Sequence, residues 1–122
     1  MTNPAGAFIW YELLTSDIDA ARTFYRAVIG WDIAAHADPA AADVDYRMIT
    51  RSNGSVAGGA MALTQEMRGG GARPCWLGYI HAPDVEVAVE AVVAAGGAVL
   101  MPAVTMEGVG RMAFVSDPDG AP

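Results

Sequence analysis

The chain contains no lysine and only one cysteine and two histidines among its 122 residues. Its basic residues are seven arginines, and fourteen acidic residues bring the formal net charge to −7. Nucleic acids and anionic membranes are bound through basic patches, so this composition disfavours both as partners. A single cysteine cannot form an internal disulfide, which fits a reducing cytoplasm.

Long apolar runs are also lacking. No apolar stretch reaches the roughly 18 residues that a membrane-spanning helix needs, and no secretory signal segment precedes the first predicted strand, so we expect a cytoplasmic protein. Hydrophobic residues nevertheless make up 53% of the chain, which places it outside the disordered class. The length predicts a single domain, residues 1–122, with a core of ordinary size.

An internal repeat is the main feature that the sequence does have. Trp10 corresponds to Trp76 at an offset of 66 residues, and Asp17 corresponds to Asp84 at an offset of 67. Each copy has an apolar segment containing Trp, then Asp at the start of an amphipathic helix, then Gly at its end. A repeat of this length within one small domain predicts two paired modules with a cleft between them.

The residue pattern predicts the elements of both modules. Module one, about residues 7–66, has predicted strands at Phe8–Leu14, Trp31–Ala37, Tyr46–Arg51 and Val56–Leu63, and a helix from the N-cap Ser16 to Ile29 that ends at Gly30. After a flexible linker at about 67–74, module two, about 75–122, has strands at Cys75–His81, Ala98–Met101 and Arg111–Ser116, and a helix begun by Pro83 and Asp84.

Module two has no room for a fourth strand. At the offset of 67, the counterpart of Val56–Leu63 would begin at about residue 123, so the last strand of module two is missing from the chain. An unpaired sheet edge is a site for strand addition. The sequence therefore predicts either a homodimer or a domain of a longer protein.

Several short motifs resemble the vicinal oxygen chelate superfamily, which includes glyoxalase I, bleomycin-resistance proteins and extradiol dioxygenases. They are Tyr11-Glu12-Leu13, Asp17, Phe24-Tyr25, Gly30-Trp31, Gly96-Gly97 and the turn Asp117-Pro118-Asp119-Gly120. The resemblance implies an α+β fold of two tandem βαβββ modules that form curved mixed sheets around a cleft. Domains of this kind are often fused in tandem. The fold hosts many functions, so it does not identify one activity.

The resemblance also implies where a divalent metal would be held. Its His and Glu ligands come from the first and last strands of each module, and the two first-strand positions correspond here to Trp10 and Trp76. The predicted strand Val56–Leu63 offers only Val, Ala, Gly, Met and Leu, and the fourth position would lie beyond the given sequence. Indole nitrogen is a donor only, and His36 and His81 do not complete a metal site. We therefore expect no metal and no cofactor.

Four residues are the candidate ligand-binding residues: Trp10, Glu12, Met61 and Trp76. Because side chains alternate along a strand, Trp10 and Glu12 share a face, and the resemblance points that face, the face of Trp76 and the strand of Met61 into the cleft. Two indoles there would stack on a flat ligand, or they would fill as core the space of a lost metal site.

Glu12 is the one carboxylate expected among these apolar side chains. Desolvation would raise its pKa, which suits acid–base work or the binding of a cationic ligand. The alternative is a salt bridge to Arg47 or Arg111 on a neighbouring strand. No residue is assigned as catalytic.

Three functions remain open from the sequence. The first is a metal-free domain that binds a small apolar or aromatic molecule in the cleft between the modules. The second is a metal-dependent lyase, isomerase or dioxygenase of the same superfamily. The third is a structural module of a larger or oligomeric protein.

Overall fold

The computed structural model describes residues 3–41 and 43–122. Within these ranges the chain forms seven strands and three helices. In chain order they are β1 (Phe8–Thr15), α1 (Ile18–Ile29), β2 (Asp32–Ile33), β3 (Tyr46–Thr50), β4 (Val56–Ala62), α2 (Gln65–Gly69), β5 (Cys75–Ile80), α3 (Val85–Ala94), β6 (Ala98–Met106) and β7 (Gly110–Ser116). The predicted α+β class is confirmed.

The chain divides into two compact units. The first unit is Phe8–Tyr79, and the second is Ile80–Pro122 together with the segment that ends at Ala7. A five-stranded sheet has the order β2-β3-β4-β1-β5, with β4 parallel to β1 and antiparallel to β3, so it is mixed. Strand β5, which the repeat assigned to module two, thus lies next to β1.

The face of the five-stranded sheet that α1 covers carries the core of the first unit. Leu13, Ile49 and Ala60 of three adjacent strands pack with Ile18 of α1 and with Ile33 of β2. Burial of these aliphatic side chains is the main source of stability at this face. We call it the α1 face.

The opposite face presents the alternate side chains of the same strands. The strand register pairs Glu12 with Gly59, Met48 with Gly59 and Tyr46 with Met61. These residues therefore share one side of the sheet, which we call the Glu12 face.

The start of α1 differs from the prediction, because Asp17 and not Ser16 is its N-cap. Strand β1 continues to Thr15, whose Oγ1 accepts a hydrogen bond from the backbone N–H of Asp17 at 3.2 Å. The Asp17 carboxylate then accepts one from the N–H of Ala20 at 3.0 Å, satisfying a donor of the first helical turn. The helix ends as predicted at Gly30, which has φ 70°.

Two segments of the first unit differ in extent from the predicted ones. Strand β2 contains only Asp32 and Ile33 instead of seven residues. The short helix α2 extends into the predicted flexible linker at about 67–74, and its N-cap Thr64 accepts a hydrogen bond from the N–H of Met67. A helix of five residues is too short to show a periodic pattern, so its capping residue was its only signal.

The second unit consists mainly of α3 and the two-stranded β6–β7 sheet. Strand β6 is longer than predicted because it continues past Pro102, where the register of the pair shifts. A proline has no N–H to donate and is tolerated at such irregularities. Within the described residues β7 pairs only with β6. None of the described helices is long and apolar enough to cross a bilayer.

Candidate functional site

Four side chains of the first unit form a continuous series of hydrogen bonds at the Glu12 face. The Trp10 indole N–H donates to the Tyr46 hydroxyl at 2.9 Å, and that hydroxyl is hydrogen-bonded in turn to the Glu12 carboxylate. The Tyr79 hydroxyl donates to Oε1 of Glu12 at 3.1 Å. We call this set the Glu12 network. Because β1, β3 and β5 all contribute, it exists only in the assembled sheet.

Glu12 is the buried member of the network. Its exposed fraction is 4%, whereas the three aromatic residues are half-buried. Burial raises the pKa of Glu12, and the hydrogen bonds from Tyr79 and Tyr46 oppose this shift. Burial and the nearby Glu12 charge raise the pKa of both phenols, so they stay protonated at neutral pH and act as donors.

The salt-bridge alternative for Glu12 is wrong. Arg47 lies one residue along β3 from Tyr46 and therefore points to the α1 face, where it binds Asp45 at 2.9 Å and Asp19 at 3.0 Å. Arg111 pairs with Glu86 inside the second unit. Among the described residues, no salt bridge reaches Glu12.

Gly59 provides the space that the network needs. A Cβ atom at this position would lie 1.9 Å from the Tyr46 hydroxyl oxygen and 2.3 Å from Cζ of the ring. The sequence analysis missed Gly59, Tyr46 and Tyr79. The one available signal was the Gly58-Gly59 pair inside a strand pattern, which indicates that another group approaches the backbone closely.

Met61 lies where the sequence placed it, on the same face as Glu12, and it is buried. Met48 is also on this face and is 37% exposed. The Glu12 face thus combines a polarizable apolar surface with one carboxylate.

Trp76 lies on the other side of the sheet. Its indole N–H donates to the Tyr25 hydroxyl at 3.0 Å, and its ring meets Tyr25 and Trp31 edge-on at centroid distances of 5.7 and 5.8 Å. Tyr25 and Trp31 both pack against the core of the α1 face. The expectation that Trp10 and Trp76 face one cleft is therefore wrong, and Trp76 belongs to an aromatic cluster next to α1.

A one-residue difference in the repeat explains this misplacement. The N-caps Asp17 and Asp84 are 67 residues apart, and so are Glu12 and Tyr79. At that offset the counterpart of Trp76 is Ile9 and not Trp10. The match between the two tryptophans is displaced by one residue, and a shift of one residue reverses the face of a strand side chain.

The residues at the positions that resemble metal-ligand positions do not suit a divalent metal. The indole nitrogens of Trp10 and Trp76 each carry a hydrogen that they donate, and they have no free lone pair for a metal. At the offset of 67 the counterpart of Trp10 is Leu77, which has no donor atom either. Strand β4 offers only Val, Ala, Gly and Met side chains. The described residues contain no group of three His, Cys, Asp or Glu side chains that could hold an ion.

Two surface hollows are lined by residues outside the Glu12 network. One, of about 480 Å³, is lined by residues 37–39, 41, 43–45 and 62–64. The other, of about 400 Å³, is formed by four residues of α1 from Arg22 to Ala27. Neither hollow includes a residue that the sequence analysis singled out for ligand binding.

Comparison with known proteins places the chain in a family. The model of the Glyoxalase/Bleomycin resistance protein/Dioxygenase superfamily matches residues 7–122. The chain is 38% identical over 112 residues to "Putative glyoxylase CFP32" of Mycobacterium tuberculosis, covering 92% of this chain and 42% of that protein. It is 30% identical over 129 residues to the anthracycline biosynthesis protein DnrV of Streptomyces peucetius, covering 95% of this chain and 45% of that protein. It thus spans less than half the length of these relatives.

A solved structure supports the same fold. A variant of methylmalonyl-CoA epimerase from Streptomyces coelicolor, in complex with 2-nitronate-propionyl-CoA, aligns with a TM-score of 0.51 and 19% sequence identity. The alignment covers 92% of this chain and 88% of that one. The glyoxalase-like architecture predicted from the sequence is confirmed, and the chain belongs to the glyoxalase/bleomycin resistance protein/dioxygenase superfamily.

Proposed function

We propose that this member of the superfamily binds a small apolar or aromatic molecule at the Glu12 face and does so without a metal. The observation that carries the proposal is a buried carboxylate held by two phenols, one of which is held in turn by an indole. A few convergent polar groups within a mostly apolar surface are the usual composition of a small-molecule site.

The aromatic members of the network supply the contact surface in this proposal. Trp10, Tyr46 and Tyr79 are only half-buried, so part of the surface of each residue reaches solvent. Met48 adds an exposed, flexible side chain on the same side. Rings fixed by hydrogen bonds lose little conformational freedom when they bind a flat molecule, which favours affinity.

The names of the relatives indicate a first class of molecule to test. One matched relative is named for anthracycline biosynthesis, which concerns polycyclic aromatic compounds. A flat fused-ring molecule would match the surface formed by an indole and two phenol rings. We therefore select 1,4-dihydroxyanthraquinone and 1-naphthol as neutral probes.

The test is a calorimetric titration of both probes into the wild type, Trp10→Ala and Trp76→Ala. Since Trp76 lies on the α1 face, we expect only Trp10→Ala to weaken binding, by roughly 1–3 kcal/mol, as for other aromatic stacking contacts. Trp76→Ala is the matched control, because it removes the same ring from the other side of the sheet. Equal affinity of the wild type and Trp10→Ala would contradict the proposal.

We also propose that the domain associates with a second copy of itself. This proposal is supported by β7, which within the described residues is paired on one side only. A second copy could pair with this sheet by strand addition. Light scattering over a range of protein concentrations tests this, and a monomer at all of them would contradict it.

A further inference from the structure

We infer that the molecule bound at the Glu12 face carries a cationic ammonium group, which the Glu12 carboxylate binds as its counter-ion. The inference rests on the proposed function and deepens it, because it assigns the chemical class of the ligand.

The first observation is that the Glu12 carboxylate has no cationic partner among the described residues. Strand β3 presents Tyr46 to it, β5 presents Tyr79, and β4 presents Gly59, which has no side chain. Strand β3 also carries Arg47, but this arginine is bound to aspartates on the α1 face. Burial of an ionised carboxylate without a counter-ion is costly. A ligand cation would offset that cost.

The second observation is that the donors around Glu12 are already used. The Trp10 N–H donates to Tyr46, and both phenols donate to Glu12. A carboxylate has about four acceptor positions, so two donors leave it able to accept further hydrogen bonds. An ammonium group supplies such donors, whereas a ligand carboxylate would be repelled and would find these protons engaged.

The third observation is the aromatic surroundings of the carboxylate. One indole and two phenol rings line the same face of the sheet, and each is half-buried. The faces of such rings attract cations, and the attraction is strongest for indole. Aromatic rings around one carboxylate therefore favour an organic ammonium over a neutral molecule of equal size.

The experiment compares probes that share one ring system. They are 1-naphthylmethylamine, which is cationic at pH 7, the neutral 1-naphthalenemethanol and the anionic 1-naphthoate. Each is titrated into the wild type, Glu12→Gln and Glu66→Gln. Glu66→Gln is the matched control, because it makes the same change at an exposed glutamate of α2. We expect the wild type and the control to bind the amine at least about tenfold more tightly than the alcohol. Glu12→Gln should abolish that preference.

The outcomes separate this inference from the function on which it rests. Equal binding of amine and alcohol by the wild type, or a preference for the naphthoate, overturns the inference and leaves the proposed function standing. Binding of none of the probes overturns both. Should Glu12→Gln not fold, the wild type alone decides. Its preference for the amine should disappear as pH falls and Glu12 becomes protonated, and a preference that persists would overturn the inference.

Discussion

The Tyr79 hydroxyl donates a hydrogen bond to Glu12 across 67 residues of sequence, which is the offset that also separates the two helix N-caps, Asp17 and Asp84. Equivalent positions of the two first strands thus meet at the centre of the candidate site. One copy supplies the acceptor and the other supplies the donor. The internal repeat is therefore directly related to the geometry of the Glu12 network.

The Glu12 network should make stability depend on pH. The folded-state pKa of Glu12 is raised above its unfolded value. Its contribution to stability is therefore fully present below the unfolded pKa and is lost as pH rises through the folded pKa. Relative to Glu12→Gln, we expect the wild type to be most stable in acid and to lose that advantage towards neutral pH. Thermal unfolding of both proteins from pH 4 to pH 8 measures this, and a constant difference would contradict it.

Gly59→Ala should disrupt the network by steric overlap. The new methyl group would occupy the position of the Tyr46 hydroxyl, and overpacking of this kind costs about 1–3 kcal/mol of unfolding free energy. The displaced phenol would also release the indole N–H of Trp10, so its NMR resonance should shift. Gly69→Ala is the control, because nothing lies within 4 Å of its new Cβ. Similar losses of stability in both variants would argue against this account.

Asp17→Ala should destabilise α1 by about 1 kcal/mol, because the N–H of Ala20 would lose its capping acceptor. Ser16→Ala should have little effect, because the Ser16 side chain is exposed and Asp17 provides the cap. Chemical denaturation of both variants measures the difference. A larger loss of stability for Ser16→Ala than for Asp17→Ala would show that Ser16 is the N-cap, as the sequence alone predicted.

Arg47→Lys should cost more than the same change at Arg26. The Arg47 guanidinium is 8% exposed and makes a bidentate contact with Asp45, which a lysine cannot reproduce. We expect a loss of about 1.5–3 kcal/mol, the range for hydrogen bonds to charged groups. The Arg26–Asp32 pair is largely exposed, so Arg26→Lys should cost less than about 1 kcal/mol. Urea denaturation of both variants would show whether this order is right.

Titration of Asp45 provides a separate readout of the same contact. Its hydrogen bonds with Arg47 lower its pKa, so the stability that they provide is present above the unfolded pKa and is lost as pH falls through the folded value. In Arg47→Lys the pKa of Asp45 should rise towards its usual range. An unchanged carboxyl titration by NMR would show that Arg47 is not the cause of the shift.

The secondary structure of this protein is determined largely by local sequence. The helix between Asp17 and Gly30 follows from the spacing of its apolar residues and from a left-handed glycine at its end. The strands at β1, β3, β4, β5 and β7 agree with their predicted positions within one or two residues. The family resemblance rests on the same kind of local motif, and the family match confirms it.

The tertiary structure decided which residues come together in the candidate site. The sequence predicted Trp10, Glu12 and Met61 as candidate ligand-binding residues, and the structure places all three on one side of the sheet. Sequence could not indicate that Tyr79 rather than Trp76 would reach Glu12. The Trp10–Tyr46 and Glu12–Tyr79 hydrogen bonds join residues that are 36 and 67 positions apart in the sequence. Such bonds depend on which strands are neighbours and on their register. A register difference of one residue leaves the local pattern almost unchanged but moves a side chain to the other face of the sheet.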